Sequence, residues 1–184
     1  MIPGLSYITN FIALSEQEFL IKELDQLPWS SDLKRRTQHY GYKYDYTKKK
    51  LDQSAYVGPI PEFLKTYISR LAKQRWFDER EKPDQIIVNE YLPGQGISKH
   101  IDCVPCFADT IASISLNSPC IMEFEKNNRK GSLLLEPLSL LVLSGEARYE
   151  WTHTIPAHIK DIWKEQEIFR GRRISLTFRK VIIS

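Results

Sequence analysis

The sequence predicts a mainly β protein: a two-sheet sandwich or double-sheet jelly roll with helices packed outside it. Three observations carry the prediction. From residue 85 onward, short β-like runs recur at 85–91, 110–116, 120–125, 132–135, 138–143, 150–155 and 172–181, which is strand spacing rather than helix spacing. Turn-forming clusters separate most of them: Asn117-Ser118-Pro119, 127–131, Glu136-Pro137 and Ser144-Gly145-Glu146. Before residue 85, two stretches instead keep apolar residues at helical spacing, so the helices are confined to the N-terminal part. Seven short strands close most readily into a sandwich or jelly roll.

The chain has 184 residues, enough for one full core and not comfortably two. With 42% hydrophobic and 27% charged residues it has the composition of a soluble globular domain. No apolar run reaches the length of a membrane span, and Met1-Ile2-Pro3-Gly4-Leu5 lacks the basic start of a secretory signal. Three cysteines, an odd number, give no disulfide framework and favour a reducing compartment: cytoplasm, or nucleus in a eukaryotic cell. A formal net charge of +3 permits nucleic-acid binding without requiring it. A monomer is expected.

Taken in order, Ser15-Glu16-Gln17-Glu18 has the form of a capping box. Phe19, Leu20, Leu24 and Leu27 then share one face of a helix over 16–26, closed by Pro28. Next, the cations Lys34, Arg35 and Arg36 precede tyrosines at 40, 42, 44 and 46, and Lys48, Lys49 and Lys50 follow. In a strand the four rings share a face. Rings amid cations suit stacking on bases and contact with phosphates; rings in the core of a half-buried hairpin, with a solvated lysine turn, suit the pattern equally. Pro59-Ile60-Pro61 opens a second helix, with Phe63, Leu64, Tyr67, Ile68 and Leu71 on its apolar face as far as about Trp76. Residues 78–84 form a charged loop, and 156–169, with weak periodicity, reads as a mobile one.

The chemistry centres on His100-Ile101-Asp102. It follows the 85–91 strand across Leu92-Pro93-Gly94-Gln95-Gly96, a turn by composition. In an extended segment the two side chains point the same way and can grip one ion, with His153 the best third ligand. Two histidines and a carboxylate leaving open positions are the facial triad of non-haem Fe(II) oxygenases; a histidine beside a carboxylate also occurs as a plain hydrogen-bonded pair. Near the end, Arg173, Ser175, Thr177 and Arg179 share one strand face, while Ile174, Leu176 and Phe178 share the other. Two arginines on a polar face suit a dicarboxylate co-substrate, which guanidinium grips with paired hydrogen bonds, or else are surface cations of an edge strand.

Asn89-x-Tyr91, His100-x-Asp102, His153, and Arg173 and Arg179 with Ser-Leu-Thr-Phe inside their interval occur in the order of the AlkB family of Fe(II)/2-oxoglutarate dioxygenases, which the chain resembles over 35–182. The phrases 89–97 and 144–153 are also similar to phrases of that family. The resemblance implies a double-stranded β-helix, a jelly-roll variant, in a single domain over 1–184. About 1–84 would hold the helices and a nucleotide-recognition lid, and about 85–184 the catalytic core. Fe(II) would sit on His100, Asp102 and His153. The distal carboxylate of 2-oxoglutarate would pair with Arg173, assisted by Tyr91, with Asn89, Ser175 and Arg179 completing the co-substrate site. Dioxygen is the oxidant, and ascorbate the expected reductant in vitro. Arg36, Tyr40, Tyr42, Tyr44 and Val104 would meet the substrate. The reaction implied is oxidative demethylation of alkylated bases in single-stranded DNA or RNA, through an N-hydroxymethyl product that loses formaldehyde. The base must first leave its stack.

Two positions depart from the family's pattern. Val104 stands where the bacterial repair enzyme has an acidic residue that contacts the base, which puts the base preference in question, and Ser175 stands where it has Asn. The 91–96 and 151–153 phrases resemble at least as closely the animal tRNA-modifying member, which hydroxylates a wobble-uridine side chain, so tRNA is the alternative partner. A protein-directed oxygenase and a catalytically dead binding module are further readings; the complete triad and both arginines speak against the last. Cys103 and Cys106 have the spacing of half a zinc site, but only Cys120 remains as a further thiol, and His39 and His158 lack a spacing logic. Incidental thiols near the iron, prone to oxidation during turnover, are the expectation.

Overall fold

Along the chain, β1 (Leu5–Ile8) leads to α1 (Leu14–Asp25), then β2 (Arg36–Tyr42), β3 (Tyr56–Gly58) and α2 (Glu62–Lys73). From there the chain is mostly strand: β4 (Gln85–Tyr91), β5 (Ile97–His100), β6 (Phe107–Leu116), β7 (Cys120–Lys126), β8 (Arg129–Leu135) and β9 (Leu140–Leu143). A short helix α3 (Gly145–Tyr149) precedes β10 (Thr152–Ile155), β11 (Lys160–Trp163), β12 (Gln166–Phe169) and β13 (Arg173–Val181). The structure, a computed structural model, describes residues 2–44 and 51–183.

The strands form a seven-stranded sheet ordered β1-β9-β6-β13-β4-β2-β3, a four-stranded sheet ordered β5-β10-β7-β8, and the hairpin β11-β12. All named pairings are antiparallel. Strand parity divides the core in two. On the large sheet, Ile86, Val88, Ala112, Ile114, Leu116, Leu140, Val142, Ile174, Leu176 and Phe178 pack with Leu20, Leu24, Leu64 and Leu71 of the helices. On its other face Tyr91, Ile111, Leu141 and Leu143 pack with Met122, Phe124, Leu135 and Ile155 of the small sheet. The molecule is therefore three layers, helices on sheet on sheet, as a jelly roll with helices outside predicts. β4 is buried at all seven positions because both its faces are covered: Ile86, Ile87 and Val88 supply its apolar centre, and its buried polar residues are paired, Asn89 with Arg35 and Glu90 with Arg36 and Arg172.

The structure departs from the sequence expectations at the ends and in the loops. α1 begins earlier than the Ser15 pattern predicts, and it is Glu16 whose carboxylate accepts from the Ala13 N–H, at 2.9 Å. The period-two tyrosine face breaks at Gly41. There the backbone turns to φ +75°, and the register between β2 and β3 shifts. Tyr40 consequently packs toward the helices, while Tyr42 and Tyr44 pack on the inter-sheet side; Tyr46, Lys48, Lys49 and Lys50 lie outside the described residues. The stretch read as a mobile loop contains the hairpin β11-β12. Asp161 (3% exposed) is paired there with Arg170, which also donates to Pro156 O. A buried ion pair leaves no hydrophobic period to read, which is why the pattern was weak. Cys103 and Cys106 are joined in a disulfide that closes a four-residue loop, contrary to the expectation of free thiols; Cys120 alone is a buried free cysteine among the described residues.

Candidate metal and co-substrate site

β5 and β10 run antiparallel with His153 directly opposite His100, which brings the two imidazole centroids to 4.3 Å. The chain leaves β5 after His100, and Asp102 turns back toward the same point. One ligand atom from each of His100, Asp102 and His153 lies within 4.8 Å of the other two. His100 Nδ1 donates to Ser98 O at 2.7 Å, which fixes the ring and turns Nε2 toward Asp102 Oδ1, 3.3 Å away. At that separation the two atoms can share one metal ion, with the outer hydrogen bond holding the ring in place. Burial pushes His153 down to about 4, leaving it neutral at pH 7 with a lone pair to give. Burial alone would raise the Asp102 carboxyl, but Arg179, His100 and His153 outweigh it and hold the group ionised, well below the usual carboxylate range. The donor set suits a divalent first-row metal.

The arginines of β13 meet this site from the large sheet. Arg179 donates through Nε to Asp102 Oδ2 at 3.1 Å, with Nη2 at 3.0 Å from the same oxygen, and Nη1 donates to Gln85 Oε1. Arg173 is 3% exposed, lies over the Tyr91 ring at 5.4 Å and donates Nη2 to Ser115 Oγ at 2.9 Å. Its Nε and Nη1 are buried and have no partner among the described residues. A guanidinium with two unmatched donors is costly to bury, and it faces the inter-sheet cavity shared with Tyr91, Ser175, Thr177, His100 and His153. A carboxylate there would match the two free donors.

A second cavity of about 720 Å³ opens above the triad, lined by Arg35, Tyr44, Asn89, Ser98, Val104 and Pro105 among others. This is ample for one nucleobase or a compound of similar size. The expected substrate contacts are distributed unevenly around it. Tyr44 and Val104 line it. Tyr40 instead gives its hydroxyl proton to Gln38 Oε1 at 2.8 Å on the helix side. Tyr42 meets the Tyr56 ring edge-on at 5.4 Å. Arg36 pairs with both Glu90 oxygens and stacks on Trp29 at 5.2 Å.

Arg35, which the sequence offered only as one of a set of cations beside the tyrosines, takes the place facing the cavity: its Nε donates to Asn89 Oδ1 at 2.8 Å and its guanidinium lies 5.7 Å from the Tyr91 ring centre. In β2, Arg36 pairs with Glu90 and Thr37 with Asn89, so neighbouring arginines point to opposite faces of the sheet. Three consecutive cations give no parity of their own, and only the β2-β4 register separates them.

A family model described as "2OG-Fe(II) oxygenase superfamily" matches residues 4–179. An Arabidopsis thaliana protein named "Alkylated DNA repair protein ALKBH8 homolog" is 39% identical over 98% of this chain and 59% of its own length. A Mus musculus protein named "tRNA (carboxymethyluridine(34)-5-O)-methyltransferase ALKBH8" is 34% identical over 97% of this chain, which spans only 30% of that protein. The solved structure of OsALKBH1 superposes with a TM-score of 0.71 at 18% identity, covering 98% of both chains, which is a likeness of fold.

Proposed function

This chain belongs to the 2OG-Fe(II) oxygenase superfamily, with AlkB-like relatives, and from that premise we propose that it is an Fe(II)- and 2-oxoglutarate-dependent oxygenase that oxidises an alkyl substituent on a nucleic-acid base. The observation that carries the reading is Arg173: a buried guanidinium with two unpartnered donors, on the wall of the cavity that holds the His100, Asp102 and His153 ligand atoms.

Each residue has a separable task. His100, Asp102 and His153 would hold Fe(II) on one side, leaving the other side open. Fe(II), bound with 2-oxoglutarate and dioxygen, supplies the oxidation of a C–H bond while the co-substrate becomes succinate and carbon dioxide. Arg173 would hold the distal carboxylate, and Tyr91, Ser175 and Asn89 would shape the cavity along the co-substrate chain. Arg179 keeps Asp102 ionised and fixed in orientation. Arg35 and Tyr44 would cover the target base, which must leave its stack to arrive there, and the cover excludes water from the reacting carbon. Removal of a methyl group from nitrogen would follow from hydroxylation of that methyl carbon, and release of formaldehyde would restore the base.

A second substrate reading has its own support. Among the described residues, Asp102 is the only carboxylate on the wall of the larger cavity, and Arg35 and Arg179 bring positive charge to it. A cationic alkylated base would find no free anion there. A side chain without positive charge on a tRNA uridine would suit this wall, and the name of the mouse relative contains such a group, carboxymethyluridine.

Mass spectrometry decides between these after incubation with Fe(II), 2-oxoglutarate and ascorbate. The substrates are methylated single-stranded DNA, methylated RNA and bulk tRNA. Loss of 14 mass units from a methylated base supports demethylation, and gain of 16 on a tRNA uridine supports hydroxylation, with ~14 and ~16 being the masses of CH₂ and O transferred by this chemistry. Turnover of 2-oxoglutarate with every nucleic acid unchanged would move the assignment to a protein substrate. No turnover at all would leave a binding module.

A further inference from the structure

Arg148 of α3 is the largest buried charge for which the chemistry above has no use. It is 2% exposed, and no carboxylate pairs with it among the described residues. Its hydrogen bonds go to main-chain carbonyls instead. Nη1 donates to Asp102 O at 2.8 Å, Nη2 to Cys103 O at 3.2 Å and Phe107 O at 3.1 Å, and Nε to Ala108 O at 3.3 Å. The four carbonyls belong to the two ends of one loop, 102–108. That loop starts at a proposed metal ligand, carries Val104 and Pro105 on the wall of the larger cavity, and is closed by the Cys103–Cys106 bond. An isolated guanidinium is costly to bury for fold stability alone, and an apolar residue would fill the space more cheaply. Its rigid fork of five donors, however, is suited to fixing several carbonyl oxygens at once.

We propose that Arg148 is a positioning residue for the metal site. It templates the 102–108 loop and, through the Asp102 main chain, sets where the Asp102 carboxylate sits, while Arg179 fixes the same carboxylate from its outer oxygen. The two arginines hold one ligand from opposite ends. This rests on the reading of His100, Asp102 and His153 as metal ligands.

The test uses Arg148→Lys, which keeps the charge but lacks the fork, and Arg148→Met, which keeps much of the volume. Co(II) affinity, the Co(II) ligand-field spectrum, 2-oxoglutarate affinity of the metal-loaded protein and melting temperature are measured on each. The expected result for Arg148→Lys is a metal affinity weaker by about tenfold or more, the usual size of an outer-shell effect. Its spectrum is altered, and its 2-oxoglutarate affinity is unchanged because Arg173 is untouched. A folded variant with wild-type metal affinity and spectrum overturns the proposal, whatever its melting temperature. Hydrogen exchange on the wild-type protein keeps the test open should both variants fail to fold. The Cys106 amide, which bonds Cys103 O at 3.2 Å, is expected to be protected before any metal is added. Exchange at the unprotected rate until metal binds would assign the ordering of the loop to the metal and overturn the proposal. If His153→Ala binds Co(II) as tightly as the wild type, the ligand assignment itself falls, and the proposal with it.

Discussion

The sharpest consequences lie at single residues. His153 and His100 face each other across β5 and β10, so removing one ring removes a ligand without removing a strand. His100→Ala, Asp102→Ala or His153→Ala is therefore expected to abolish 2-oxoglutarate turnover and metal binding, while the far-ultraviolet circular dichroism remains that of the wild type. Arg173→Lys keeps a charge but loses the paired donors. The loss of about 1.5–3 kcal/mol expected for such a hydrogen bond corresponds to roughly ten- to hundredfold weaker 2-oxoglutarate binding, readable by titration calorimetry with Mn(II) in place of iron. His39 offers a pH signature away from the metal. Burial, aided by the Lys43 charge, lowers it to about 4. The unfolded chain takes up a proton near pH 6.5 and the folded one does not until about 4, so stability is whole above 6.5 and declines as pH falls through that window. Between pH 7.5 and 5 the loss is about 2 kcal/mol at most, and urea midpoints of His39→Gln should show a flatter pH dependence than the wild type. At this scale the sequence was legible where rare residue types stand in a fixed order: His100, Asp102 and His153, far apart in the chain, lie together, and Arg173 lines the same cavity. It was illegible for Arg148, and for which of Lys34, Arg35 and Arg36 would face the cavity, since a cation carries no mark of whether it will meet solvent, a carboxylate or four carbonyls.

At the scale of elements, Gly41 decides how the lid strand meets the rest. A Cβ there would fall 1.8 Å from Asp84 O at φ +75°, so Gly41→Ala must displace either the bulge or the start of β4. Strain at such a position costs about 1–3 kcal/mol, to be read as a lower melting temperature. Because the bulge sends Tyr40 and Tyr44 to different layers, their variants should separate. Tyr40→Ala is expected to cost stability, about 2–4 kcal/mol by analogy with other large-to-small changes. Tyr44→Ala should weaken single-stranded RNA binding by about 1–3 kcal/mol if a base stacks on it. The 85–91 strand was legible because its β-branched centre, Ile86-Ile87-Val88, is bounded by the charged 78–84 stretch and the Pro93-Gly94 turn. The strands β1, β3 and β5, three or four residues long, were not, since so short a run supports no period. α3 was read as a turn because one helical turn has the composition of one.

Over the whole molecule, the site lies between the two sheets: His100, Asp102 and His153 come from the small sheet and its margin, Arg173 and Arg179 from the large one. Ligands that join the layers should therefore stabilise the whole domain. Mn(II) or 2-oxoglutarate at a hundredfold excess over its dissociation constant adds about 2.7 kcal/mol, or roughly 5–10 °C in a chain of this size. Arg173→Ala should abolish the 2-oxoglutarate part of that shift in a thermal scan and leave the metal part. The three-layer plan was legible because it follows from alternation summed over many strands, whereas the pairing order depends on contacts far apart in the chain that no local pattern records. β13 links the two scales. Its even-numbered residues Ile174, Leu176 and Phe178 pack into the core, and its odd-numbered residues Arg173, Ser175 and Arg179 line the inter-sheet cavity. A single inserted or deleted codon within it would exchange the two sets, drive guanidinium groups among the helices and leave phenylalanine on the wall of the proposed co-substrate cavity. Descent with altered length is closed to this strand; any change of specificity there must come by substitution.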